Sequence, residues 1–171
     1  MKRLLLLRHA KAVPATDPLV DIDRPLADRG ERDAVRIGER MRQQRLQPAL
    51  ILTSPAARAL RTGQLVARTL DYPREIALDR RLYLAEPAAI IEIIAAQDAA
   101  IETLLIVGHN PGLTELVHRL LPAFDVDDLP TCAIVGLDYA DAAAWGRVAG
   151  DAAVLSYYDY PKNKRTPITA R

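Results

Sequence analysis

Arg8 and His9 directly follow an apolar run, Leu4 to Leu7, and His109 closely follows a second run, Leu104 to Val107, a hundred positions downstream of His9. In an open α/β sheet ligands bind outside the carboxyl ends of the strands, so side chains at two such ends can meet despite their separation in sequence. Arg58 stands shortly after a third run, Leu50 to Leu52. Two imidazoles and two guanidiniums gathered at one sheet edge suit a phosphoryl group, because each planar guanidinium fork can engage two oxygens at once.

The turns that carry these residues share a grammar. Ser54 and Pro55 read as a helix cap and first helical residue, which puts Arg58 in the first turn of the helix, near its free amides and the positive end of its dipole. Gly108-His109-Asn110-Pro111-Gly112 repeats the pattern, with Asn110 as cap and Pro111 as first helical residue, and with glycines that let backbone approach a ligand closely. Asp28 with Glu31 reads as a capping arrangement at an earlier helix.

Continuous apolar runs of strand length indicate strands buried on both faces, and Leu4 to Leu7, Leu50 to Leu52 and Leu104 to Val107 qualify. Helical patterns over Glu31 to Arg45, Pro55 to Leu70, Pro87 to Ala96 and Pro111 to Leu121 alternate with them. Ala133 to Leu137 and Ala153 to Tyr157 follow as later strands, Glu75 to Leu78 is a weaker one, and Pro122 to Pro130 is an acidic, proline-bounded loop. The expected fold is a three-layer α/β/α domain with a mostly parallel central sheet. Trp145, Tyr157, Tyr158 and Tyr160 are expected in the core and at its rim.

The bulk numbers restrict the partners. At 171 residues, half of them apolar, the chain fits one domain spanning 1–171, with a loosely ordered basic tail from about 161. A formal charge of +1, from 23 basic and 22 acidic residues, offers no broad field for nucleic acid or an anionic membrane, so anion recognition must be local. Cys132 is the only cysteine, which excludes an intrachain disulfide and makes a cytoplasmic location the expectation. The leucines near the amino terminus are too few for a signal peptide and are stopped by Arg8, His9 and Lys11; no stretch approaches the roughly 20 apolar residues of a membrane span.

These motifs together resemble the histidine phosphatase superfamily, and within it the small phosphohistidine phosphatases of the SixA type, with a phosphoglycerate mutase-like fold. Arg8-His9-Ala10 is similar to the family's first motif, Arg24-Pro25-Leu26 with Gly30 to the approach to the first helix, and Ser54-Pro55 with Arg58-Ala59 and Thr62 to the second motif. Gly108-His109-Asn110-Pro111 is similar to the third, and Leu82-Tyr83 and Pro161-Lys162-Asn163 also fit this branch. The resemblance implies a metal-independent hydrolase without a cofactor. His9 would be the nucleophile that forms a covalent phosphohistidine, and Arg8, Arg58 and His109 would hold the phosphate. Flanking cations should lower the His9 pKa from about 6.5, and its other ring nitrogen needs a fixed acceptor such as a backbone carbonyl.

One departure bears on the substrate. Superfamily members that act on alcohol phosphates often carry a mid-chain glutamate that protonates the leaving oxygen, whereas Leu82-Tyr83-Leu84 supplies no acid, and Glu86 reads as a helix-start residue. An imidazole leaving group needs less acid help than an alkoxide, which favours phosphohistidine on a protein. The alternatives are a phosphatase of small phosphomonoesters and a noncatalytic phosphate-binding module; the second binds phosphate without turnover. A two-histidine metal site with Asp21 or Asp23 is opposed by the adjacent arginines. His118 reads as an ordinary helix position, Arg61 as a surface ion-pair partner, and Arg24 as either a loop tether or an extension of the pocket.

Overall fold

Four successive leucines, Leu4 to Leu7, can all be buried only in a strand covered on both faces. In the computed structural model, which describes residues 1–15 and 20–169, β1 (Lys2–Arg8) meets this condition. Leu4 and Leu6 enter one apolar layer, and Leu5 and Leu7 the other. The same alternation recurs in β2 (Leu50–Thr53) and β4 (Thr103–Gly108): Leu52, Leu104 and Ile106 face the first layer, and Ile51, Leu105 and Val107 the second.

Helices close both layers. Ile37 and Met41 of α1 (Asp28–Gln43) and Leu65 and Val66 of α2 (Ala57–Thr69) fill the second layer. Ile90 and Ile93 of α3 (Pro87–Ala95) and Leu116 and Val117 of α4 (Gly112–Leu120) fill the first, together with Trp145. This is the three-layer α/β/α arrangement. Lys2 is buried at the start of β1 because its amine bonds to the carbonyls of Ala99 and Ile101 and lies over the Trp145 ring.

The remaining strands are β3 (Ala77–Leu78), β5 (Ile134–Tyr139), β6 (Val154–Asp159) and β7 (Ile168–Thr169), in the sheet order β3-β2-β4-β1-β5-β6-β7. The expected mostly parallel sheet is in fact mixed. β3, β2, β4 and β1 run parallel, whereas β5, β6 and β7 are each antiparallel to the preceding neighbour. The cause lies after α4. Residues 121–133 carry the chain back to the carboxyl end of β1, where Arg8 N–H bonds to Ala133 C=O, so β5 begins opposite Leu7 and must run the other way. Beyond Pro161 the chain returns to the sheet, pairing Ile168 and Thr169 with Tyr158 and Tyr157.

Strand order also locates the crevice. β1 and β4 are neighbours, yet the helix after β1 lies on one face of the sheet and the helix after β4 on the other. Chains leaving adjacent strands in opposite directions open a cleft at their carboxyl ends, which is where α/β sheets take ligands.

Candidate active site

The β1–β4 register pairs Arg8 with Gly108, so the next residues, His9 and His109, leave the sheet side by side. His9 N–H bonds to Gly108 C=O at 3.0 Å, and the two imidazole rings stand 5.1 Å apart at 60°. Arg58 reaches them from the first turn of α2. It is only 2% exposed, with Nε donating to His9 Nε2 at 3.3 Å and Nη2 lying 3.5 Å from His109 Nδ1. The structure therefore brings Arg8, His9, Arg58 and His109 into one cleft of about 390 Å³, which Lys11 and Arg24 also line. Among the described residues four basic side chains face one carboxylate there, Asp21, in a chain of nearly zero net charge.

Hydrogen bonding selects the imidazole tautomers. A guanidinium only donates, so the ring nitrogens facing Arg58 carry lone pairs. His9 Nδ1–H donates to the Ala10 carbonyl at 2.8 Å, the expected backbone acceptor, and Nε2 is left as the basic atom in the cleft. Ala10 is itself fixed by Thr62, whose hydroxyl accepts from Ala10 N–H at 3.0 Å while donating to Arg58 C=O at 2.7 Å. His109 donates from Nε2 to Ser54 Oγ at 2.7 Å.

Both histidines are held neutral. His9 is pushed down to about 4, first by burial and then by the charges of Arg58, Arg8 and Arg24. The expected cation effect is present, but desolvation exceeds it. His109 is pushed down to about 3 by burial, then by His9 and Arg58. Asp21 is also lowered, to about 2, but this keeps it charged, because it accepts from Tyr83 OH at 2.6 Å, from Arg58 Nη2 at 3.0 Å and from Arg24 Nε at 2.9 Å.

Asp21 and Tyr83 hold Arg58 in place, and Asp128 does the same for Arg8. Arg8 Nη1 bonds to Leu129 C=O and lies 3.2 Å from Asp128 Oδ2, while Asn110 Nδ2 reaches the same carboxylate at 2.6 Å. Burial lowers the Arg8 pKa, and its Nε–H is buried without a hydrogen-bond partner. A buried unpaired donor is costly, and its place beside two histidines suits an oxyanion.

Several local expectations are corrected. Neither Ser54 nor Asn110 is the residue before its helix, since α2 starts at Ala57 and α4 at Gly112; Ser54 Oγ accepts from Ala56 N–H at 3.2 Å as well as from His109, and the Asn110 amide serves Asp128. Asp28 opens α1 without a capping bond, and Glu31 instead pairs with Arg61 at 2.7 Å, the surface ion pair expected of Arg61. Gly112 faces not a ligand but the Ala85 carbonyl, which an added Cβ would meet at 1.9 Å. Arg24 does both things considered for it, tethering Val13 C=O at 3.0 Å and lining the cleft. His118 is exposed and bonds to Val126 C=O.

Asp21 and Asp23 form no metal site with the histidines; Asp21 is committed to Arg24, Arg58 and Tyr83. Among the described residues no group of three or more His, Cys, Asp or Glu side chains is placed to hold a metal ion. Nor is any described helix long and apolar enough to cross a membrane. Asp21, Tyr83 and Asp128 were missed as site residues because each acts through a distant partner; the one local sign was the match of Leu82-Tyr83 to the family branch.

Known proteins share this fold. The solved structure of an Agrobacterium tumefaciens protein named SixA, described as a candidate phosphohistidine phosphatase, is 33% identical, with a TM-score of 0.68 over 80% of this chain and 90% of that one. An uncharacterised Mycobacterium tuberculosis protein is 33% identical over 165 residues, covering 91% of this chain and all of its own length. A mycobacterial glucosyl-3-phosphoglycerate phosphatase, 15% identical, shares the fold, with a TM-score of 0.66 over 90% of this chain and 96% of its own. The family model for the histidine phosphatase superfamily, branch 1, matches residues 4–83, the stretch that runs from β1 through Arg58 to Tyr83. With the family model and a solved relative 33% identical in agreement, the chain belongs to the histidine phosphatase superfamily.

Proposed function

We propose that the protein is a phosphohistidine phosphatase that works through a covalent intermediate on His9. The observation that carries this reading is the fixed tautomer of His9: Nδ1–H on the Ala10 carbonyl, and a neutral Nε2 lone pair in a cleft of cations. Nε2 attacks phosphorus as the bond to the leaving nitrogen breaks. Water then attacks the phosphorus, forming an O–P bond as the N–P bond breaks, which releases phosphate and returns the electron pair to Nε2. Phosphoryl transfer needs in-line placement and stabilised equatorial oxygens, which the Arg8 and Arg58 forks supply. His109 is a third contact once a phosphate dianion beside it raises its proton affinity.

The choice of leaving group follows from the one carboxylate that lines the cleft among the described residues. Asp21 is held ionised by Tyr83 and two arginines, so it cannot donate a proton, and Leu84 rather than an acid lines the cleft beyond Tyr83. Glu86 sits exposed at the start of α3, outside the cleft lining. An alkoxide, whose conjugate acid has a pKa of about 15, leaves poorly without help. A phosphoimidazole protonated on its far nitrogen departs as neutral imidazole, with a conjugate acid near 6.5. Phosphohistidine presented on a protein is therefore the substrate class, and no step requires a metal ion.

The test compares phosphate release from a phosphohistidine peptide, a phosphoserine peptide and a sugar phosphate. The phosphohistidine peptide should be turned over fastest. Acid-labile radiolabel should be trapped on the wild type and absent from His9→Ala, whose turnover should fall to background. Faster release from the sugar phosphate would move the assignment to small phosphomonoesters, and phosphate binding without release would make the protein a binding module.

A further inference from the structure

A second cleft, of about 300 Å³, adjoins the first and shares Lys11 and Thr131 with it. Its far wall is Tyr160, Pro161 and Lys162, and its floor includes Arg29 and Asp33. Asp33 is already neutralised by Arg29 at 3.4 Å and approached by Arg36 at 4.0 Å. Among the described residues the amines of Lys11 and Lys162 have neither a hydrogen-bond nor an ion-pair partner, and both residues are exposed. Among the described residues the cleft thus presents two unpaired lysines next to the phosphate pocket.

The far wall is held more firmly than a surface turn ordinarily is. Asp159, fully buried, accepts from Arg40 at 3.0 Å, from Tyr157 OH at 3.2 Å, from Tyr160 N–H at 2.8 Å and from Asn163 Nδ2 at 2.9 Å. Arg40 also donates to Tyr160 C=O, and Asn163 N–H closes the turn on the same carbonyl at 2.9 Å. Burying a carboxylate is expensive unless it is fully paired, and here the pairing fixes the backbone that carries Lys162. On the opposite wall Lys11 is equally fixed: its carbonyl accepts from Ala27 N–H at 2.9 Å and abuts Gly30, leaving no space for a side chain there. Two rigid backbones therefore hold the two lysines on either side of one groove.

We infer that this second cleft recognises a carboxylate side chain of the protein substrate, close in space to its phosphohistidine, between Lys11 and Lys162. The inference rests on the phosphohistidine-protein reading for its partner and adds the chemistry that selects among such partners. It also gives the Pro161-Lys162-Asn163 segment a role: Asn163 anchors the turn and Lys162 meets the substrate.

Competition against hydrolysis of a small aryl phosphate tests the inference separately from turnover of phosphohistidine. The probes are two peptides carrying a stable phosphonate analogue of phosphohistidine, one flanked by glutamates and one by alanines. The wild type should bind the glutamate peptide about fivefold more tightly, as expected for ion pairs at a partly exposed site, and added salt should shrink the gap. Lys162→Glu should abolish or invert the preference, a lysine-flanked peptide should regain affinity for that variant, and aryl phosphate turnover should stay at the wild-type level. Equal affinity of the wild type for both peptides would overturn the inference, as would an equal loss for both in Lys162→Glu. A glutamate preference in a protein that leaves phosphohistidine peptides intact would uphold the cleft and refute the proposed reaction instead.

Discussion

Arg40 with Asp159 and Arg58 with Asp21 are both guanidinium–carboxylate pairs at 3.0 Å, yet they are built for different ends. Around Asp159 every bond closes: the carboxylate is fully buried and is met by donors from Arg40, Tyr157, Tyr160 and Asn163. Around Arg58 the network stays open. Asp21 is 43% exposed, Arg8 Nε and Asn110 Oδ1 are buried without partners, and two imidazoles are kept neutral among cations. A closed network contributes to stability, whereas an open one keeps hydrogen-bonding capacity for an incoming oxyanion, at some cost to the fold.

Substitutions should separate the two. Arg58→Ala is expected to slow phosphate release by about 10² to 10³, as when one donor to developing charge is removed, with little change in melting temperature. Steady-state kinetics beside calorimetry checks both halves, and a variant that unfolds instead of slowing would erase the distinction. Arg40→Met should do the reverse. Stranding the Asp159 carboxylate costs about 3 kcal/mol or more, a drop of roughly 6 to 12 °C for a chain of this size, while aryl phosphate turnover per folded molecule holds.

Acid provides a weaker probe. The folded-state values of His9, about 4, and His109, about 3, lie below the unfolded value near 6.5. Between these limits the unfolded chain binds more protons, so stability falls as pH drops from about 6.5 toward 4 and is level above 6.5 as far as these two groups decide it. Thermal melts of the wild type and His109→Asn across this range should show a shallower decline in the variant. The smallest effect belongs to Arg61→Ala. Both members of its pair with Glu31 are more than a third exposed, so denaturant titration should register a loss below about 1 kcal/mol that shrinks in salt.

How legible each part was depends on where its cause lies. Leu4 to Leu7 and Leu104 to Val107 announced buried strands because covering both faces leaves an unbroken apolar run, and the histidines that follow inherited their position from those strand ends. The direction of β5 was not legible. It depends on residues 121–133 folding back until Ala133 meets Arg8 at the end of β1, and nothing in their composition states which end of the sheet they reach. Ser54 and Asn110 were misread for a related reason. Each satisfies the local preference for a cap, yet the Asn110 amide goes to Asp128, and Ser54 Oγ serves both the local Ala56 N–H and the distant His109. Asp21 left no periodic or positional trace, since its role comes from Arg58, Arg24 and Tyr83 converging on it from three separate segments.

Two bare α-carbons set a limit on how this molecule can vary. An added methyl at Gly30 would come within 2.1 Å of the Lys11 carbonyl, and one at Gly112 within 1.9 Å of the Ala85 carbonyl. Each would act as a wedge between a helix and the neighbouring wall of the cleft, spreading its mouth while leaving the lining side chains chemically intact. Damage of that kind would first be felt as lost selectivity for what enters, long before the catalytic groups themselves had been touched.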